Sequence, residues 1–140
     1  MGLDMSLTRT KVLNKKATLE QLVTVRGVLD GWCNSTDPFV LKLVKQYKET
    51  GAPLMEEVVT WRRVIELHYW FLHELEGNEH GDDCYEVKKH NLEHLISYCE
   101  KEMTDYPLAG SQNREAIKEA KKLLKTIDFD NEILVYSFSH

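Results

Sequence analysis

No run of about 18 apolar residues occurs in this chain, so a membrane-crossing helix is not expected. The opening Met1-Gly2-Leu3-Asp4-Met5-Ser6 has no basic region followed by an apolar one, so no secretory signal is expected either. Gly2 and Ser6 fit the outline of a myristoylation pattern, but Asp4 and Met5 read better as the start of a strand. Cysteine is sparse. Cys33, Cys84 and Cys99 form an odd set without a Cys-x-x-Cys spacing, which points to free thiols in a reducing cytoplasm. His73-Glu74 is followed by Leu75-Glu76-Gly77, so the His-Glu-x-x-His helix of zinc hydrolases is missing. Gly77-Asn78-Glu79-His80-Gly81 lacks the lysine and the strand-to-helix setting of a phosphate loop. There are no internal repeats and no low-complexity segments.

What is present reads as one globular domain over residues 1–140, long enough to bury roughly two-thirds of its unfolded surface. The net charge of −5 is unevenly spread. Residues 1–53 hold eight Lys/Arg against five Asp/Glu, or +3; residues 54–107 hold five against thirteen, or −8; residues 108–140 hold five of each. The acidic middle argues against non-specific binding of nucleic-acid phosphates there, though not against a local arginine pocket, and direct nucleic-acid binding by the protein is not expected.

Residues 2–8 alternate, with Leu3, Met5 and Leu7 on one side and Asp4, Ser6 and Thr8 on the other, the period of a half-buried strand. Over 18–33, Leu22, Val25, Leu29 and Trp32 fit a helix capped by Thr18. Val23-Thr24-Val25 and Gly27 pull toward a strand, and the helix is the reading adopted. Asp37-Pro38 opens a short helix carrying Val40, Leu43, Val44 and Tyr47, which ends at Thr50-Gly51. The spacing of Val58, Trp61, Ile65, His68, Leu72 and Leu75 predicts one long central helix over 54–76. A polar loop is expected over 77–86 and a helix over 88–103. Another helix is expected over 114–127, capped by Asn113 and facing inward with Ile117, Ala120, Leu123, Leu124 and Ile127. Glu132 to Phe138 reads as a strand. Two strands at opposite ends of a helical chain need a partner, and the nearest is each other. The fold expected is α+β: a mainly helical domain with a small sheet pairing the N- and C-terminal strands.

Chemistry-bearing side chains crowd into one stretch. Two of three tryptophans and five of six histidines lie within residues 61–94, together with Asp82-Asp83-Cys84. His90 and His94, one helical turn apart, have a metal-gripping spacing, but Leu92 and Leu95 place them at the rim of their helix, where solvated histidines are the plainer reading. His68 lies on the apolar stripe, where a histidine is more often a hydrogen-bonded core residue than a catalyst. If the Asp-Asp-Cys loop folds back, Arg62, His68 and Asp83 converge, and Asp4 joins from the first strand. The structural version is an Arg62–Asp4 or Arg62–Asp83 ion pair holding helix to sheet or loop. The functional version is a pocket for an anionic, nucleotide-like ligand, with arginine on phosphate and Trp61 or Trp70 stacking a base. Beside two aspartates, the Cys84 thiol is pushed away from the reactive thiolate, so a cysteine nucleophile is disfavoured. No carboxylate pair stands out for acid–base work.

Four fragments together resemble a family of small proteins of unknown function encoded by bacteriophages and prophages. They are Met1-Gly2-Leu3-Asp4-Met5; Trp61-Arg62 with His68 and Trp70-Phe71; Asp82-Asp83-Cys84-Tyr85; and Tyr136-Ser137 with Ser139. The chain departs from the family pattern at Ser6, Arg63 and Ile65, where the family carries tyrosine, lysine and asparagine, and residues 10–53 look unlike it. The resemblance implies a phage origin. The expected role is a non-enzymatic accessory protein in the host cytoplasm that binds a host protein for counter-defence or host takeover, without a cofactor. The alternatives are a protein that sequesters a nucleotide-like ligand at Arg62, His68, Trp70 and Asp83, with Asp4, Trp61 and Tyr136 around them, or a structural or assembly factor. Self-association is compatible with the sequence, and no membrane partner is expected.

Overall fold

The alternation of the first residues places Met5 and Leu7 on one face of strand β1 (Asp4–Lys11), and both are buried. The computed structural model describes residues 3–51, 55–62, 64–76, 78, 80–81, 84–105 and 110–139. After β1 come helices α1 (Leu19–Asp30) and α2 (Pro38–Thr50), strand β2 (Glu56–Arg62) and helix α3 (Ile65–Glu74). Strands β3 (His80–Gly81) and β4 (Cys84–Val87), helices α4 (Lys89–Asp105) and α5 (Gly110–Thr126) and strand β5 (Glu132–Ser139) complete the chain. The fold is α+β, with an antiparallel sheet ordered β2-β1-β5-β4-β3. The terminal strands pair directly, as expected, and hold the centre of the sheet.

Helix starts and stops follow the local chemistry. Thr18 and Gln21 cap each other's backbone amides at the start of α1, a complete capping box. Asp37 accepts from the Phe39 amide and Pro38 sits in the first turn of α2. α1 and α2 end at Gly31 and Gly51, both left-handed with φ of 81° and 62°. Gly27, inside α1, is required by a close approach. A Cβ there would lie 2.4 Å from the Cys33 sulfur, which folds back over the helix toward the Thr24 carbonyl.

The two faces of the sheet are covered by different helices. On one face Leu3, Met5, Leu7, Val59, Trp61, Val87, Leu134 and Tyr136 pack against α3, α4 and α5. On the other, α1 and α2 bury Leu22, Val25, Val40, Leu43, Val44 and Tyr47 against Ile133 and the end of β1. The Tyr47 hydroxyl donates to the Lys11 carbonyl, fastening α2 to β1, and burial raises its pKa. Arg9 donates through Nε and an Nη to the two carboxylate oxygens of Glu132 at 2.6 Å each, bridging β1 and β5. That fork holds the Glu132 carboxyl below the usual range.

Three expectations need correction. Residues 54–76 are not one helix: Glu56–Arg62 is strand β2, and α3 begins at Ile65. The β-branched run Val58-Val59-Thr60 and the buried Val59 and Trp61, two apart, favour the strand once β1 is there to pair with it. Residues 77–86 hold strands as well as loop, because β4 pairs with β5 and adds β3 beyond it. Asn113 is no cap, since α5 starts at Gly110.

The Gly27–Cys33 contact yields a test of packing. Gly27→Ala adds helix propensity worth about 1 kcal/mol but collides with the Cys33 sulfur. Alone it should lower the denaturation midpoint. In a Cys33→Ala background the same change should raise it, which a denaturation double-mutant cycle measures.

Candidate functional site

The strand-to-helix switch after Arg62 separates the residues that the sequence grouped. Trp61 pairs with Met5 and Arg62 with Asp4, so their side chains leave the sheet on opposite faces. Trp61 goes to the covered face. Arg62 goes to the open end of the other, beyond α1 and α2.

On the covered face the side chains form one aromatic assembly. α3 buries Leu67, His68 and Phe71. His68 is 4% exposed, and its Nδ1 shares a 2.5 Å hydrogen bond with the Tyr136 hydroxyl of β5. Burial raises the Tyr136 pKa well above the ordinary phenol value, so its proton is retained and available to Nδ1. The Tyr136 ring stacks on Phe71, with centroids 4.3 Å apart and planes 12° from parallel. Phe138 meets His68 edge-on at 4.6 Å. Trp61 and Trp70 flank Phe71 at 5.9 and 5.1 Å, and Trp70 also stacks on Tyr98 of α4. Trp61, His68, Trp70 and Tyr136 therefore come together as core, with the polar edge of His68 turned to Tyr136.

On the open face Arg62 Nε lies 3.2 Å from Asp4 Oδ1. Their side chains are 81% and 52% exposed, so the pair is a surface ion pair, not the buried lock expected, and contributes below about 1 kcal/mol. Below it the register lines up Thr60, Ser6 and Ser137, with Cys84 next in the row. The Ser6 and Ser137 hydroxyls hydrogen-bond at 3.0 Å, and Thr60 donates to Glu57 at 2.5 Å. Asp4, Ser6, Glu57, Thr60, Arg62 and Ser137 line a shallow concavity of about 330 Å³. It is polar and of mixed charge, with one arginine against two carboxylates. Asp82 and Asp83 lie outside the described residues, so the Arg62–Asp83 alternative and the convergence on Asp83 do too.

The other titratable groups are tied into the scaffold. His90 and His94 are exposed on α4. His94 Nδ1 is 2.8 Å from Glu74 Oε2, which also accepts from Asn91 at 2.8 Å; Asn91 in turn accepts from the Lys88 amide at the start of α4. This chain fastens the end of α3 to the start of α4. Among the described residues no group of three or more His, Cys, Asp or Glu side chains is arranged to hold a metal ion. None of the three cysteines is in a disulfide, and burial pushes the Cys99 thiol up to about 11.

Sequence reasoning missed three surface features. Trp32, expected on the stripe of the first helix, lies beyond the end of α1 and is 67% exposed. Ile65, expected on the buried stripe, is 54% exposed, and Tyr69 one turn later is 64% exposed. They lie on the flank of α3 away from Trp70 and its contact with α4. The signal was available only once the helix start was fixed at Ile65. The third feature is the outer face of α5.

The two faces predict opposite sensitivities. Tyr136→Phe leaves the buried Nδ1 of His68 without this partner and should cost about 1–3 kcal/mol in chemical denaturation. Arg62→Ala should change stability by less than about 1 kcal/mol. Equal effects would contradict the division into core and surface.

Comparison of the chain with protein-family models, with curated proteins and with solved structures finds no match.

Proposed function

We propose that the protein is a phage accessory protein that acts in the infected cell by binding a host protein, without enzymatic activity of its own. The resemblance of its Trp-Arg, His-x-Trp-Phe and terminal fragments to phage proteins supports the setting. The observation that carries the binding role is on α3. Ile65 and Tyr69 stand exposed one turn apart, while His68 between them is engaged with Tyr136 in the core. Exposed aromatic and aliphatic side chains side by side are what a partner's pocket takes as anchors. A role in counter-defence or host takeover, exercised in the host cytoplasm, follows from the phage setting. No helix among the described residues is long and apolar enough to cross a membrane.

Affinity capture from infected cells, run in parallel with the wild type and an Ile65→Asp/Tyr69→Asp variant, tests this reading. Retention of one host protein by the wild type and its loss from the equally stable variant is expected. Equal retention by both would overturn the assignment of the α3 flank.

A second reading rests on the concavity at Asp4, Ser6, Thr60, Arg62, Ser137 and Ser139. Its mix of guanidinium, hydroxyl and carboxylate groups suits a small polar ligand such as a nucleotide, bound without the base-stacking tryptophans expected from the sequence. A ligand at 100 times its dissociation constant stabilises by about 2.7 kcal/mol. Thermal-shift titration with nucleotides and cyclic dinucleotides should therefore raise the melting temperature of the wild type and leave that of Arg62→Ala unmoved. No shift in the wild type removes this reading.

A further inference from the structure

We propose that the outer face of α5 binds the phosphate backbone of a nucleic-acid duplex. Arg114, Lys118, Lys121 and Lys125 follow one another at intervals of four, three and four residues, which places them in a single line along the helix, with Lys122 beside it. All five are exposed, and Ala116, Ala120, Leu123 and Ile127 are buried on the opposite side. These five are every Lys and Arg between residues 108 and 140. Three of the five acidic residues in that segment, Asp128, Asp130 and Glu132, come after the helix. The balanced charge count of the segment therefore hides a one-sided surface.

An ordinary solvated helix face mixes signs and gains from opposite charges three or four residues apart. Here Arg114/Lys118, Lys118/Lys122 and Lys121/Lys125 are like-charged at four-residue spacing and repel. The helix dipole favours Lys125, in the last turn, and does little for the others. Glu115 and Glu119 lie off the line, within reach of Lys118 and Lys122. The ion pairs of the described residues are Arg9–Glu132, Arg26–Asp30, Arg62–Asp4 and His94–Glu74, and none involves α5. The line from Arg114 to Lys125 is cationic and exposed on a chain whose net charge is negative.

The geometry selects among polyanions. From Arg114 to Lys125 the helix rises about 16 Å, the axial length over which one duplex strand presents about five phosphates. A lipid surface would need apolar side chains to insert beside the cations, and the line carries none. A protein interface would need an apolar or aromatic anchor at its centre, and the line has none of these either. Backbone phosphates need only cations, and such contacts read no sequence. The acidic segment 54–107 includes α4, which packs against α5 and repels the duplex on that flank. This inference stands apart from the host-protein reading, which uses α3.

Fluorescence anisotropy of the full chain with a labelled DNA duplex of about 20 base pairs tests the proposal. Binding should be independent of sequence. The logarithm of the association constant should fall with the logarithm of salt concentration at a slope of about −4, near −0.9 for each neutralised phosphate. Lys118→Gln/Lys121→Gln keeps good helix formers in place, so far-ultraviolet circular dichroism should be unchanged while the slope drops to about −2. Lys42→Gln/Lys45→Gln, on the exposed side of α2, removes the same charge and should leave binding as it was. No binding at about 20 mM salt would overturn the proposal. Equal loss in both variants would reduce it to a net-charge effect and overturn it as well. Vesicles of anionic phospholipid that bind through Lys118 and Lys121 when the duplex does not would assign the stripe to membranes instead.

Discussion

Eight residue pairs join β1 to β5, from Asp4 opposite Ser139 to Lys11 opposite Glu132. They bring together segments separated by almost the whole chain. Such closure is entropically costly, and here several interactions offset it at once. Met5, Leu7, Leu134 and Tyr136 bury apolar surface on one side of the pairing. The Arg9–Glu132 fork fixes the register near one end, and the Ser6–Ser137 hydrogen bond supports it near the other. Every other strand depends on this pair: β2 attaches to β1, and β4 with β3 attaches to β5.

The pairing also decides what the surface can do. Because β5 carries Tyr136 onto the face covered by α3, the aromatic part of the central segment is turned inward. His68, Trp61 and Trp70 become contacts within the core, and their polar atoms serve packing. The other face is covered only where α1 and α2 reach. Beyond them it ends in hydroxyls and the exposed Arg62–Asp4 pair. What remains for partners is peripheral: Ile65 and Tyr69 on the flank of α3, Trp32 after α1, Leu41 on α2, and the cations of α5.

Much of this architecture was legible in the residues. Alternation at the N-terminal end and β-favouring residues at the C-terminal end implied two strands, and their isolation implied that they meet. Thr18, Asp37 and Gly51 act through local backbone chemistry, so the start of α1 and both bounds of α2 follow from short-range rules, whereas the end of α1 at Gly31 was not read. The central segment misled because two periods overlap there. Val58, Trp61, Ile65 and His68 have helical spacing, while Val59 and Trp61 have the spacing of a strand buried on one side. Only the presence of β1 as a partner decides between them, and that is tertiary information. Once residues 56–62 are a strand, Arg62 and His68 no longer share a helix face, and the expected convergence divides between the two sides of the sheet. The α5 stripe was readable, but a charge count by segment averages it away.

Native-state hydrogen exchange tests the central place of the β1–β5 pair most directly. The amides of Met5, Leu7, Leu134 and Tyr136 that bond across this pair should exchange only through global unfolding, with the denaturant dependence of the whole molecule. Faster exchange of these amides through a smaller opening, while those of α4 and α5 stay protected, would contradict it. That result would show that the helices hold together without the terminal strands.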